Sequence, residues 1–271
     1  MSISNTHTLN AWIDGIGLLG PGLENWPAAR PILAGVADYV SQSLVVPAPM
    51  ALPPAERRRV GLTVKVALAV AQEAVAAAQA DARQLAAVFA SSGADGDNCD
   101  AICAALASDG RHISPTRFHN SVHNAPAGYW GIASGAMTPA NVVCAYDASF
   151  GAGLLEAVVQ VSVDAVGVLL VAYEAPYPEP LQSKRPLPSA FGLALALMPQ
   201  PGPRSLARIQ IELVEATADV LENAELEALR RQIPCARGLP LLQALASGRP
   251  GRVVLDYLSP LGLAVEIQPC G

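Results

Sequence analysis

Residues 149–173 read S-F-G-A-G-L-L-E-A-V-V-Q-V-S-V-D-A-V-G-V-L-L-V-A-Y, and this stretch determines the fold class. Its first part, Ser149–Val163, has the apolar spacing of a helix, whereas Val166–Tyr173 is a continuous apolar run. An uninterrupted apolar strand is typical of the middle of a sheet whose two faces are both covered. The stretch therefore predicts a helix followed by a central strand in an α/β core.

The remaining elements alternate along the chain as expected of an α/β domain. Strands are predicted at Trp12–Leu19, Leu85–Ser91, Val142–Tyr146, Phe191–Met198 and Ala207–Val214, with a hairpin of Arg252–Tyr257 and Leu263–Ile267. Helices are predicted at Glu24–Leu33, Ala55–Ala82, Ala101–Leu106, His119–Ile132, Leu221–Arg231 and Leu239–Leu245. We expect a mixed sheet between helices over residues 1–200, with a short, β-rich α+β extension over residues 201–271 packed on it.

Composition excludes several classes of protein. The chain has 271 residues, of which 52% are apolar and 15% charged, so it is not disordered. Its net charge of −6 makes nucleic acid an unfavourable partner. The apolar runs are too short for membrane insertion, and Met1–Asn10 lacks the pattern of a signal peptide. Five scattered cysteines then predict reduced thiols and a cytoplasmic location.

Three groups of residues suggest metal binding, but none has the full pattern. Asp95, Asp97 and Asp100 resemble the start of a calcium loop, yet the glycine and glutamate that such a loop requires are absent. The pairs Cys99/Cys103 and His119/His123 have helical spacing, but nothing in the sequence brings the two pairs together. We therefore expect a solvated loop that caps a helix at Ala101, no metal site and no cofactor.

Two further segments contain groups capable of chemistry. The helix that begins near Glu56 carries Arg57, Arg58 and Arg59, which suit either a phosphate of a carrier protein or ion pairs within the chain. Cys144 lies in a predicted apolar strand, where burial would raise the pKa of its thiol, so we interpret it as a small core residue. Ser149 follows that strand, but the surrounding residues differ from a G-x-S-x-G nucleophile turn.

Several segments occur together, in this order, in ketoacyl synthases, and the chain resembles that family over residues 11–198. The segments are W-I-D-G-I-G-L-L-G-P-G (12–22), P-P-A-E-R-R-R-V-G-L-T-V-K-V-A-L-A-V-A-Q-E-A (53–74), A-V-F-A-S-S-G-A-D-G-D-N (87–98), S-P-T-R-F-H-N-S-V-H-N-A-P-A-G-Y-W-G-I-A-S-G (114–135), V-G-V-L-L-V-A-Y-E-A (166–175) and A-F-G-L-A-L-A-L (190–197). They are similar to the opening strand, the first long helix, the next strand with its Gly-rich loop, the dimer-interface segment and two later strands of the family. The resemblance implies a truncated thiolase-like fold, built mainly from the N-terminal half of a synthase.

Two sequence segments narrow the resemblance to one group within the family. S-P-T-R-F-H-N-S-V-H-N-A and D-A-S-F-G-A-G-L-L-E-A resemble the chain-length-factor proteins of bacterial aryl polyene and related pigment clusters. In such proteins, the segment that contains the first string packs against an active synthase and lines the end of the acyl tunnel. By resemblance, the interface and tunnel residues are Phe118, His119, Asn120, Val122, His123, Asn124, Tyr129 and Trp130.

The departures from the family pattern decide the expected function. Ungapped alignment places Asp147 at the position of the cysteine nucleophile, while Cys144 comes three residues too early. The four histidines, His7, His112, His119 and His123, all precede residue 124, so both C-terminal histidine motifs of an active synthase are missing. A carboxylate at a helix N-terminus is stable there, and we expect Asp147 to accept backbone N–H groups as a cap.

We therefore expect a non-catalytic subunit that pairs with an active ketoacyl synthase and shapes its acyl tunnel, with an acyl carrier protein reached through that synthase. Alone, the chain would form a homodimer through the same surface or be poorly soluble. Two alternatives remain open: a decarboxylase or hydrolase of acyl thioesters that uses Asp147 or Ser149 with His119 or His123, and a scaffold without a tunnel role.

Overall fold

The computed structural model describes residues 9–270, which form one eight-stranded sheet covered by helices on both faces. The segment Met1–Asn10, which we expected not to be a signal peptide, therefore lies largely outside the described residues. The strands are β1 (Leu9–Leu19), β2 (Ala86–Ala90), β3 (Ala140–Val143), β4 (Val168–Glu174), β5 (Phe191–Met198), β6 (Ala207–Val214), β7 (Gly251–Asp256) and β8 (Gly262–Pro269). Their order across the sheet is β3-β2-β4-β5-β1-β6-β8-β7.

The sheet is mixed, as predicted. Strand β2 runs parallel to both β3 and β4, and every other neighbouring pair is antiparallel. Strands β6, β7 and β8 come from residues 201–270 and continue the sheet beyond β1, through the pairing of β1 with β6. Strand β3 forms one edge of the sheet and β7 forms the other.

The helices include three of eleven residues or more and several shorter ones. They are α1 (Trp26–Leu33), α2 (Pro54–Arg57), α3 (Leu62–Ala78), α4 (Gly96–Ala107), α5 (Pro115–Asn120), α6 (Ala125–Ser134), α7 (Ser149–Asp164), α8 (Leu181–Lys184), α9 (Ala224–Gln232) and α10 (Leu239–Ser247). Within residues 9–270, no helix combines the length and the apolar character needed to cross a membrane.

Two hydrophobic clusters cover the two faces of the sheet. Helices α3 and α6 pack on one face, and α1, α7 and α10 pack on the other. Helix α3 lies so close to β1 that a Cβ at Gly15 or Gly17 would come within 2.0 Å of a helix carbonyl oxygen. Glycine is therefore required at these two positions of β1, and the close contact explains why the middle of α3 is almost uncharged.

Two helices that we predicted as continuous are each divided. The predicted helix Ala55–Ala82 separates into α2 and α3, with Gly61 in an extended conformation at the start of α3. The predicted helix His119–Ile132 separates into α5 and α6, because Pro126 lies in the first turn of α6. A proline is compatible with a first helical turn but not with a helix interior, where its ring would clash with a preceding carbonyl.

Two further predictions need correction near strand ends. Helix α4 begins at Gly96 and is capped by Asp95, whose carboxylate accepts the Asn98 N–H, so Asp97 and Asp100 lie within the helix rather than before it. The predicted core position of Cys144 is wrong, because β3 ends at Val143 and Cys144 is exposed. A short parallel edge strand with one neighbour does not bury the residue that follows it.

Candidate functional site

The candidate site lies at the turn between β3 and α7, at the carboxyl ends of the parallel strands β2, β3 and β4. This is the edge of an α/β sheet where ligands commonly bind. The chain forms one 3-10 turn, Tyr146–Ala148, after β3, and α7 then begins at Ser149. Tyr146 adopts a positive φ of 53°, which is unusual for an aromatic residue, and its side chain is 62% exposed.

Asp147 does not cap α7, which corrects the structural role that we predicted for it. The N-terminus of α7 has no side-chain cap. Instead, Asp147 Oδ1 lies 2.8 Å from Arg185 Nη2, and Asp147 Oδ2 lies 3.2 Å from Arg237 Nη2. The Asp147 carboxylate is therefore held between two guanidinium groups.

These ion pairs extend into a longer series of alternating charges. Arg237 also contacts Asp256 at 2.7 Å, and Arg230 contacts the second oxygen of Asp256 at 2.6 Å. Arg230 in turn makes two hydrogen bonds to Glu227, of 2.7 and 2.8 Å, and this contact lowers the pKa of the Glu227 carboxyl. We call Arg185, Asp147, Arg237, Asp256, Arg230 and Glu227 the charge chain.

The charge chain joins the two parts of the sequence. Arg185 and Asp147 precede residue 200, whereas the other four members lie on α9, on the 3-10 helix Pro234–Gly238 and on β7. Three cations match three anions, so each carboxylate is neutralised by at least one arginine. Sequence reasoning missed these partners, because contacts between residues 38 and 90 positions apart leave no local pattern.

Ser149 is oriented toward the backbone of the turn. Its side chain is buried, its Oγ donates to the Tyr146 carbonyl at 2.7 Å, and it accepts the Ala145 N–H at 3.0 Å. These bonds stabilise the tight turn before α7. A serine whose hydroxyl is used in this way is a structural group rather than an activated nucleophile.

Cys144 and a buried glutamate meet at the loop after β2. The Cys144 thiol contacts the Ser92 carbonyl at 3.4 Å, while Glu174 accepts the Ser92 N–H at 2.6 Å and the Ser92 hydroxyl at 3.0 Å. Glu174, the last residue of β4, is 2% exposed, and this burial raises its pKa to about 7. Sequence reasoning did not single out Glu174, whose one signal is a charge at the end of an apolar strand.

The segment predicted to form an interface divides into buried and exposed residues. Asn120 is buried, donates to the Arg59 carbonyl at 2.8 Å and accepts the Tyr129 hydroxyl at 2.9 Å. Tyr129 and Trp130 are also buried, in the hydrophobic cluster on the face of the sheet that α3 covers. These three residues hold α5 and α6 onto the rest of the protein.

The other members of the segment reach the surface. Phe118 is 63% exposed and Val122 is 47% exposed, and His119 and Asn124 are exposed as well. His119 packs edge-to-face on the Tyr129 ring. His123 is half-buried beside the Ser91 backbone, and burial lowers the pKa of its imidazole.

The arginine cluster and the cysteine and histidine pairs considered for metal binding lie outside the turn between β3 and α7. Arg59 forms an ion pair of 2.9 Å with Glu56, and Arg58 and Arg59 border a cavity of about 640 Å³ that also contains acidic side chains of α4. Within residues 9–270, no three histidine, cysteine or acidic residues are placed to bind a metal ion together.

Comparison with known proteins identifies the family. The family model described as beta-ketoacyl synthase, N-terminal domain, matches residues 34–254. The chain therefore belongs to the beta-ketoacyl synthase family, and its sheet with helices on both faces is the thiolase-like fold that the resemblance implied. A comparison with curated protein sequences finds no match.

Solved structures of the same fold include three that contain partner proteins. A ketosynthase in complex with its chain length factor from Xenorhabdus doucetiae matches with a TM-score of 0.72 and 19% identity, covering 95% of this chain and 99% of that chain. The ishigamide ketosynthase/chain length factor matches with a TM-score of 0.73 and 15% identity, covering 97% and 100%. A type II polyketide synthase acyl-carrier protein in complex with its ketosynthase bound to the hexaketide matches with a TM-score of 0.74 and 11% identity, covering 96% and 99%. At these identities, the matches concern the fold.

Proposed function

We propose that this protein is a non-catalytic subunit, a chain length factor, that pairs with a cysteine-bearing ketoacyl synthase and bounds the acyl chain made by that synthase. The observation that carries the proposal is that the Asp147 carboxylate is engaged in two ion pairs. A carboxylate whose two oxygens are held in ion pairs with Arg185 and Arg237 is a poor nucleophile toward a thioester.

The competing proposal of a hydrolase or decarboxylase receives less support from the geometry. Ser149 uses its hydroxyl on backbone groups of its own turn, and His119 lies against Tyr129 on another element. His123 lies beside the loop after β2. A nucleophile requires a base within hydrogen-bond reach, and the hydrogen bonds of Ser149 go to Tyr146 and Ala145 instead.

The edge strand β3 supports pairing with another protein. It has a neighbour, β2, on one side, so its other side offers free backbone N–H and C=O groups. The segment that leads into and out of β3 also carries large exposed apolar side chains, namely those of Phe118, Val122, Ile132, Met137 and Tyr146. An unprotected edge with apolar neighbours is characteristic of a surface that a partner covers. The identified structures of ketosynthase and chain length factor complexes are consistent with a synthase as that partner.

Two assays separate the candidate functions. The isolated protein, supplied with acyl- and malonyl-carrier protein, should form no ketoacyl product and should not turn over the thioester in a saturable way. Saturable turnover that is lost in Ser149→Ala would instead establish an enzyme.

The tunnel role is distinguished from a scaffold by product length. His119 is exposed beside the proposed partner surface, so His119→Phe should preserve the complex with the synthase and shorten its product. Asn124→Leu adds apolar volume at a second exposed residue of the expected interface and tunnel set. Unchanged product lengths in both variants, with the complex intact, would favour the scaffold.

A further inference from the structure

The segment that follows Glu174 covers the buried carboxyl of this residue. We call this segment, Ala175–Pro188, the strap. Tyr177 of the strap places its hydroxyl 3.4 Å from the Ser92 hydroxyl, which in turn donates to Glu174. Tyr177 also fills the space above Gly93, where a Cβ would come within 2.5 Å of the tyrosine hydroxyl. Movement of Tyr177 away from the loop after β2 would therefore expose Ser92 and the Glu174 carboxyl to water.

The strap is fixed to the body of the protein at a small number of points. Arg185 binds Asp147 at 2.8 Å and stacks on the Tyr146 ring at 3.7 Å, and Leu187 is buried. Gln182, which precedes both points in the sequence, organises the strap internally through bonds to the Tyr177 N–H and to both backbone groups of Leu187. A segment with few apolar anchors and its own local hydrogen bonds opens at a lower free energy than the sheet does.

Charged and titratable groups from several elements surround Glu174. Arg185 on the strap favours the ionised carboxylate, whereas Asp147 on the 3-10 turn disfavours it. Tyr173 on β4 and Cys235 on the 3-10 helix Pro234–Gly238 also face the carboxyl, and burial raises the pKa of both. Ser92 supplies the two hydrogen bonds, which favour the charge but do not outweigh the effect of burial.

We propose that the strap opens more readily when Glu174 loses its proton, so that the surface formed by Tyr146 and Arg185 responds to pH. The closed state holds the carboxyl away from water and binds its proton tightly, whereas the open state hydrates the carboxyl and releases the proton more easily. Two states with different proton affinities are populated according to pH by linkage. The proposal concerns the isolated chain and is independent of the partner synthase.

The expected change in the equilibrium constant for opening follows from the proton affinities of Glu174 in the closed and open states. A hydrated glutamate titrates near 4.5, and the buried Glu174 titrates at about 7. The equilibrium constant for opening should therefore rise with pH between these values, by up to roughly 300-fold, and then become constant. At mildly acidic pH the strap is held closed, and above neutrality it opens more frequently.

Amide hydrogen exchange of the isolated protein tests the proposal. Exchange of the strap amides is followed by mass spectrometry between pH 5 and 8.5 and corrected for the pH dependence of intrinsic exchange. In the wild type, the corrected opening constant should rise with pH and then level off. In Glu174→Gln, which keeps the shape but cannot ionise, it should be independent of pH. Glu179→Gln, a matched change at an exposed strap residue, should retain the wild-type response.

Two results would overturn the proposal: a wild-type strap whose corrected exchange is constant over this range, or a Glu174→Gln strap that responds as the wild type does. If Glu174→Gln does not fold, the carboxyl carbon of Glu174 is titrated by NMR in the wild type. A midpoint near 7 that coincides with the change in strap exchange supports the proposal. A midpoint near 4.5, or one unrelated to the exchange, refutes it.

Discussion

Arg185 places its guanidinium 3.7 Å from the centre of the Tyr146 ring while its Nη2 lies 2.8 Å from Asp147. One arginine thus fixes both the exposed aromatic residue and the adjacent carboxylate at the turn between β3 and α7. Stacking of a guanidinium on an aromatic face adds an attraction beyond packing. In this chain the turn is therefore organised by electrostatic contacts between side chains.

The charge chain predicts a stability effect for Asp147. Asp147→Ala leaves Arg185 and Arg237 without their shared carboxylate, and both arginines are largely buried. Because Asp147 itself is partly exposed, we expect a loss of about 1–2 kcal/mol in the free energy of unfolding. Urea unfolding of Asp147→Ala, with Asp164→Ala in the exposed end of α7 as control, measures the difference. Equal stability of the two variants would refute a structural role for these contacts.

Asn120 is predicted to stabilise the fold rather than to determine product length. Asn120→Leu would leave the Arg59 carbonyl and the Tyr129 hydroxyl without their partners. An unsatisfied buried polar group costs about 1–3 kcal/mol, so the variant should unfold at a clearly lower temperature. Asn124→Leu, at an exposed position in the same segment, should unfold close to the wild type. The reverse order of the two melting temperatures would contradict the assignment of Asn120.

How far the sequence predicts this structure depends on how local the determining contacts are. The bounds of β5 and β6 agree with the prediction, because β5 is a continuous apolar run that ends at Pro199 and β6 alternates between apolar and polar residues. Helix α7 was equally clear from its spacing. Pro126, in contrast, divides a predicted helix, a signal that was visible in the sequence but was outweighed by the apolar pattern.

The chemistry of the site was less predictable than the fold. Comparing motifs could single out Asp147, but it could not find the ion-pair partners of this residue. Arg237 lies 90 residues further along the chain and reaches Asp147 because its 3-10 helix packs beside α7. Burial of Glu174 likewise depends on the strap and on the loop after β2, which only the folded chain brings together.

Thiol reactivity should distinguish the exposed cysteines from the buried one. Cys144 is exposed after β3, whereas Cys235 is fully buried and burial raises the pKa of its thiol. Iodoacetamide labelling of the folded protein at pH 8 should modify Cys144 within minutes and leave Cys235 unmodified until denaturant is added. Cys103, also exposed, provides an internal reference. Protection of Cys144 comparable to that of Cys235 would restore its interpretation as a core residue.

The stability of the protein should fall on the acidic side because of His123. Burial lowers the pKa of this imidazole below its usual value near 6.5, so the unfolded chain binds a proton more readily than the folded one. Stability that is present above pH 6.5 is therefore lost as pH falls from 6.5 through the lowered pKa. His123→Gln should show a smaller loss than the wild type over this interval, and His112→Gln, at an exposed position, should show the wild-type loss. Identical profiles of wild type and His123→Gln would exclude this contribution.

Partner binding by a variant of Val122 tests the central claim most directly. The measurement is co-purification of the chain with candidate cysteine-bearing ketoacyl synthases. Val122 is 47% exposed, so Val122→Asp should leave the isolated protein folded but should abolish the complex, because a charge covered by the partner would be unpaired. Val163→Asp, at an exposed position on α7, should bind as the wild type does. Undiminished binding of Val122→Asp, or absence of a complex with the wild-type chain, would contradict the proposed role as a partner subunit.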